Sequence, residues 1–208
     1  MSIQFDSSGY PTLYWNDEWD SESEIHIERK VGQSSWQTLE TLPANSTNYT
    51  DSTCGVAATT YRVVVASDYE EVNSESVTCL RPIASFDQWS IEVFGVALEP
   101  RGTRLADPDQ DGVRNVEEYA RGSDPLVPNK DAVVFRDLVG GQLALIRIRR
   151  ANLTDVATQV QTSSSLRTWN KAEITTEISS SPGPGLEKAT TFMPKTPAAS
   201  TFLRIETF

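Results

Sequence analysis

The run Asp107-Pro108-Asp109-Gln110-Asp111-Gly112-Val113-Arg114-Asn115-Val116-Glu117-Glu118 leaves the chain few ways to fold locally. Aspartates stand at its first, third and fifth positions, glycine at the sixth, asparagine at the ninth and glutamate at the twelfth. Three carboxylates this close repel one another, and no lysine within the run relieves them. Such a stretch is either an acidic surface turn capping a helix or a loop wrapped around a hard cation. Calcium takes six to eight oxygens at about 2.3–2.6 Å from a loop that curls around it. In that geometry alternate carboxylates point inward, Gly112 supplies the sharp turn and the Val113 carbonyl adds a seventh-position oxygen. Asn115 reaches the ion through water, and Glu118 closes the sphere with both oxygens. The whole twelve-residue pattern is present, so calcium is the expected cofactor. Its expected ligands are Asp107, Asp109, Asp111, Val113 and Glu118.

On the N-terminal side the chain reads as short strands between turns. Thr12–Trp15 alternates, and Glu24–Lys30 alternates more clearly, with Ile25 and Ile27 on one face. Ser35–Leu39, Thr59–Ala66 and Glu75–Cys79 follow, and Tyr61, Val63 and Val65 share a face. His26 falls on the opposite face from the two isoleucines and should be solvated. Strands at this spacing, with no helical period, predict a β-sandwich over residues 1–82.

Residues 83–128 change character. Ser85 caps a helix predicted from about Phe86 to Leu98, with Phe86, Trp89, Val93, Val96 and Ala97 as its apolar stripe. A shorter helix is predicted from near Arg114 to Gly122, a residue suited to the position past a helix end. Residues 129–208 return to strands at Ala132–Arg136, Leu143–Arg149, Val156–Thr162 and Thr201–Glu206, with a hairpin at Gly140-Gly141. The expected fold is therefore mostly β: two β-sandwich domains, 1–82 and 129–208, joined by a helix–calcium loop–helix segment at 83–128.

Charge narrows the partners. The net charge of −11 is uneven: 13 acids face 4 bases in residues 1–82, 9 face 4 in 83–128, and 7 face 10 in 129–208. An acidic front half is unsuited to nucleic acid, where phosphate contacts dominate affinity, and the basic character of the last segment is mild. No run of about 18 apolar residues is present to insert into a bilayer. Arg147 and Arg149 share a strand face, which is either solvated or a contact for acidic glycan or the acidic first domain. Cys54 and Cys79 form either a disulfide or a pair of buried thiols. The opening residues lack the basic and apolar regions of a secretion signal. A millimolar-range calcium module nevertheless suits the extracellular space or cell surface, with any signal on a segment outside this sequence.

Three stretches resemble known families. Leu13-x-Trp15, Ile25-His26-Ile27-Glu28-Arg29, Asn48-Tyr49-Thr50-Asp51 and Thr60-Tyr61-Arg62-Val63 together resemble a fibronectin type III domain over about residues 3–82. The resemblance implies that Trp15 and Tyr61 are core residues. The corner carries Cys54-Gly55 where members of that family often have leucine. The single acidic loop resembles dockerin and thrombospondin type-3 repeats. Phe86, Trp89, Asp107–Tyr119, Gly122, Asp124 and Pro125 are more closely similar to a segment near the C-termini of large exported proteins of Verrucomicrobia and related bacteria. In those proteins a β-sandwich follows, and Ser163–Trp169 with Phe202-Leu203-Arg204 resembles its Ser-x-x-Leu-x-x-Trp stretch and terminal strand.

Trp19, in the acidic loop Asn16–Glu24, is the candidate ligand-binding residue: a platform for a sugar ring or partner protein, unless it folds back over the domain end. The sequence carries no nucleophile–base pair, phosphate-binding glycine loop or catalytic metal triad, so an enzyme is not expected. The expected function is a non-catalytic, calcium-stabilised extracellular module set for adhesion or for binding glycans or other extracellular proteins, with calcium fixing the interdomain orientation. The alternatives are a structural subunit of an extracellular filament or sheath, and the accessory tail of a secreted polysaccharide-degrading enzyme.

Overall fold

The computed structural model describes residues 1–18, 22–95, 100–129, 135–139, 142–172, 175–179, 182–192 and 202–208. The fold is mostly β, with several antiparallel sheets and two α-helices among the described residues. The chain divides into two compact units, one built on Met1–Ile83 with Gly122–Asp124 and Gly183–Gly185. The other is made of Ala84–Arg121, Pro125–Pro182 and Leu186–Phe208.

In the first unit, β1 (Ser2–Phe5), β2 (Pro11–Tyr14) and β5 (Asn48–Thr50) form one sheet in the order β1-β2-β5. A second sheet has the order β4-β3-β6-β7. It comprises β3 (Glu24–Val31), β4 (Gln37–Pro43), β6 (Thr59–Ala66) and β7 (Glu71–Asn73), and β8 (Val77–Cys79) also pairs with β6. The alternation read from the sequence decides which side chains meet. Ile3 and Leu13 from one sheet and Ile25, Ile27, Tyr61 and Val63 from the other join Cys79 in a single core cluster. Trp15 packs against it from the side. Burying side chains of this size stabilises by about 1.5–3 kcal/mol each. His26 takes the other face, half-buried, with Nε2 2.9 Å from Glu24 Oε1. Both cysteines are free and buried, and burial pushes each thiol pKa up.

Asp51 is the polar centre of this unit. Its carboxylate is fully buried and accepts from Thr53 N (2.9 Å), Thr53 Oγ1 (2.7 Å), Tyr61 Oη (2.8 Å) and Arg29 Nη1 (2.6 Å). Burial alone would raise its pKa. The donors from Thr53, Tyr61 and Arg29 outweigh that and hold it below the usual carboxylate range.

In the second unit, α1 (Phe86–Phe94) is capped by Ser85, whose Oγ accepts from Gln88 N at 3.2 Å. It stops at Gly95 rather than near Leu98, because Gly95 turns left-handed at φ 84° and closes onto the Ile91 carbonyl. Val96 and Ala97, expected on the stripe, lie outside the described residues. A 3-10 turn at Pro100–Gly102 follows, then α2 (Asn115–Arg121). Gly102 lies against α1 so closely that a Cβ there would meet Ser90 Oγ at 2.5 Å, and Ser90 donates to the Gly102 carbonyl at 2.9 Å. Phe86, Trp89 and Tyr119 make an aromatic cluster with centroids 5.3–5.8 Å apart.

The strands of this unit form two sheets. The first, in the order β13-β14-β10-β9, comprises β9 (Phe135–Val139), β10 (Gln142–Arg150), β13 (Thr175–Ser179) and β14 (Leu186–Phe192). The second, in the order β12-β11-β15, comprises β11 (Thr158–Ser163), β12 (Asn170–Lys171) and β15 (Phe202–Thr207). Strands β9 and β10 pair antiparallel from Val139↔Gln142, on either side of Gly140-Gly141. One residue ties the helices to these strands. Asp155 Oδ2 accepts from Phe86 N at 2.6 Å at the start of α1, and Oδ1 accepts from Tyr119 Oη of α2 at 3.3 Å. Arg150 supports the same helix, donating to the Tyr119 carbonyl at 3.1 Å.

Candidate metal centre

The acidic loop is closed at its base before its carboxylates are considered. Asn115 N donates to the Ala106 carbonyl (2.9 Å) and Val116 N to that of Arg104 (3.1 Å), so the chain entering the loop lies against the chain leaving it. The Asn115 side chain is fully buried and donates to the carbonyls of Arg101 (2.6 Å) and Thr103 (2.9 Å). Both amide protons therefore pin the 3-10 turn to the start of α2. Its Oδ1 is buried with no hydrogen-bond partner.

Between these clasps the backbone turns twice through the left-handed region, at Gln110 (φ 62°) and Gly112 (φ 92°). The second turn falls on the residue type that takes it at no steric cost. The turns bring a carboxylate oxygen from each of Asp107, Asp109 and Asp111 within 4.8 Å of one another. Loop amides hold one oxygen of each: Gly112 N donates to Asp107 Oδ2 (3.0 Å), Asp111 N to Asp109 Oδ1 (3.2 Å) and Val113 N to Asp111 Oδ1 (2.7 Å). Asp107 Oδ1 and Asp109 Oδ2 are buried with no partner. Burial, with Asp111 and Asp107 beside it, pushes the Asp109 pKa up.

Of the five residues expected as ligands, the three aspartates come together directly. Val113 is buried and reaches them through its N–H to Asp111. Glu118, in the first turn of α2, is buried completely and meets the loop through Asn129. The Asn129 backbone N donates to Asp111 Oδ2 at 2.8 Å, and its Nδ2 lies 3.4 Å from Glu118 Oε1. Asn129 lies eleven residues beyond the twelve-residue pattern, so the spacing rule gave no hint of it.

The donors brought together are all carboxylate oxygens, and Asp107 and Asp109 each keep one oxygen buried without a hydrogen-bond partner. That set fits a hard divalent cation and not a thiophilic one. His26, Cys54 and Cys79 belong to the other unit. The ion would meet the unpartnered oxygens of Asp107 and Asp109 and offset the burial and the neighbouring carboxylates that raise the Asp109 pKa.

The remaining candidates fall out differently. Trp19 lies outside the described residues. Arg149 is occupied by its cross-strand neighbour Glu187, with Nε 2.6 Å from Oε1. Arg147 lies on the same strand face with its Nε buried and unpartnered. Burial, reinforced by Arg149 and Arg121, lowers its pKa to about 10. Among the described residues no helix is long and apolar enough to cross a membrane. No family model matches the sequence, and neither does any curated protein.

Proposed function

We propose that this chain is a non-catalytic, calcium-stabilised module set of the extracellular space, with two β-sandwiches and a calcium loop between helices. Its outward role is attachment to glycans or other extracellular proteins. The observation that carries the calcium reading is the buried, unpartnered pair Asp107 Oδ1 and Asp109 Oδ2 in a loop closed at its base by backbone hydrogen bonds. Oxygens left in that state are unfavourable until a cation meets them. Asp107, Asp109 and Asp111 would hold the ion directly, with the Val113 carbonyl and Glu118 completing the sphere as the spacing implies.

The ion acts by linkage. Because it binds the ordered loop and not the unfolded chain, it stabilises by about 2.7 kcal/mol at a hundredfold excess over Kd. The loop belongs to the unit formed by the helices and the C-terminal strands, so the first effect of calcium is on the folding of that unit. The orientation role expected from the sequence adds a second effect, on the hinge between units. Thermal melting in calcium against chelator tests the first effect, and small-angle scattering under the same two conditions tests the second. A melt that chelation leaves unchanged would sink the calcium reading.

A further inference from the structure

We propose that Asn129, outside the twelve-residue loop, is a positioning residue of the calcium site that fixes Asp111 and Glu118 relative to each other. This rests on the metal reading above and deepens it, by naming what orients the fifth and twelfth residues of the loop.

The three aspartates are not held alike. Asp107 and Asp109 each accept one loop amide and keep the other oxygen buried without a hydrogen-bond partner. Asp111 is held at both oxygens: Oδ1 accepts from Val113 N at 2.7 Å and Oδ2 from Asn129 N at 2.8 Å. A carboxylate bonded at both ends cannot swing, and with about four lone-pair sites it keeps about two for an ion. The donor that completes this hold lies 18 residues further along the chain.

The Asn129 side chain reaches the other end of the pattern. Its Nδ2 approaches Glu118 Oε1 at 3.4 Å and donates to the Val127 carbonyl at 3.1 Å. One half-buried residue therefore offers its backbone N–H to the fifth-position carboxylate and its amide to the twelfth. Glu118 is fully buried in the first turn of α2, whereas Asp111 precedes the left-handed turn at Gly112. A single ion needs both carboxylates on it, and two like charges drawn together repel. Donors directed at both offset that repulsion and leave less reorganisation for the ion to drive. Pro128 fixes φ just ahead of Asn129, so the donor itself is held. Asn115 is an independent sign of a ligand in the loop: it is fully buried at the ninth position, and its Oδ1 has no hydrogen-bond partner. Donors behind metal ligands set affinity, and removing one typically costs about 10–100-fold.

The test titrates calcium into the full chain by calorimetry and times its release by rapid mixing with chelator. Asn129→Ala keeps the backbone donor and loses the amide, and should weaken calcium binding about tenfold with faster release. Asn129→Pro also loses the N–H to Asp111 and should weaken it further, towards about a hundredfold. Each variant is melted in chelator and in calcium. Asn129→Ala should narrow the calcium-dependent melting shift, whereas Ser85→Ala, at the cap of α1, should lower both melts and leave the affinity and the shift unchanged. Wild-type affinity and release rate in Asn129→Ala would overturn the proposal and leave the metal reading standing. An Asn129→Ala chain that no longer melts cooperatively in chelator would assign the residue to the fold, not the site, and would overturn it too. A wild-type chain that binds no calcium would overturn both.

Discussion

Replacing Asp51 by alanine should be among the most damaging single changes in the first unit. The carboxylate accepts four hydrogen bonds of 2.6–2.9 Å, from two atoms of Thr53, from Tyr61 and from Arg29. Hydrogen bonds to a charged group contribute about 1.5–3 kcal/mol, but they share one acceptor and do not add. Tyr61 is fully buried and would lose its carboxylate partner, whereas the Arg29 side chain is 25% exposed and keeps Thr53 Oγ1 at 2.8 Å. The net cost of Asp51→Ala is therefore about 3–5 kcal/mol, a large share of the about 5–15 kcal/mol that holds a domain folded. Tyr61→Phe removes one donor and should cost about 1 kcal/mol. Urea titration measures both, and hydrogen exchange read by peptide should assign the loss to residues 1–83. The pH dependence has a definite sign. Because the folded pKa is depressed below the ordinary 3.8, the stabilisation is complete above about pH 4 and lost as pH falls through the folded value. Asp51→Asn should flatten that acid limb. A cost below about 1 kcal/mol for Asp51→Ala, or an acid limb unchanged in Asp51→Asn, would refute the reasoning.

Three further outcomes are expected. Asp155→Ala should cost the second unit about 2 kcal/mol in urea titration, since it strips an acceptor from the first turn of α1 and another from Tyr119. Gly102→Ala should lower the melting temperature and cost about 1–3 kcal/mol, because its Cβ would press on Ser90 Oγ. Asp109→Asn should raise the melting temperature in chelator and abolish the gain from calcium. The raised Asp109 pKa means that its charged form costs stability once pH climbs above the unfolded value, and the amide removes that cost.

Legibility followed the range of the interaction. Ile25, Ile27, Tyr61 and Val63 were readable as core because a strand puts alternate residues on one face whatever it packs against. Ser85 and Gly122 marked helix ends through chemistry that acts within a turn. Local reading failed where two local signals competed. The apolar spacing ran on to Ala97, but Gly95 adopts the left-handed conformation that ends a helix. Gln110 takes φ 62° with no glycine to announce it, because the loop around it is closed at both ends. The polar hubs were out of reach altogether. Asp51 meets Arg29 across 22 residues and Asp155 meets the start of α1 across 69, and neither separation has a period or a motif. Within the site, the aspartate spacing announced the cluster, while Asn129, which clasps Asp111 and approaches Glu118, was invisible because its role comes from a turn after α2. The strands β13 and β14 escaped because Thr, Glu and Lys fill positions where a periodic apolar residue would have signalled them.

Calorimetric titration of the chain with calcium, repeated on Asp109→Asn, bears most directly on the metal reading. The loop offers one set of three convergent carboxylates among the described residues, so wild type should bind one calcium per chain, far more tightly than magnesium, which demands near-ideal octahedral geometry. Asp109→Asn should bind none in the same range. A wild-type chain that takes up no calcium at millimolar concentration, or one whose binding survives Asp109→Asn intact, would contradict the account.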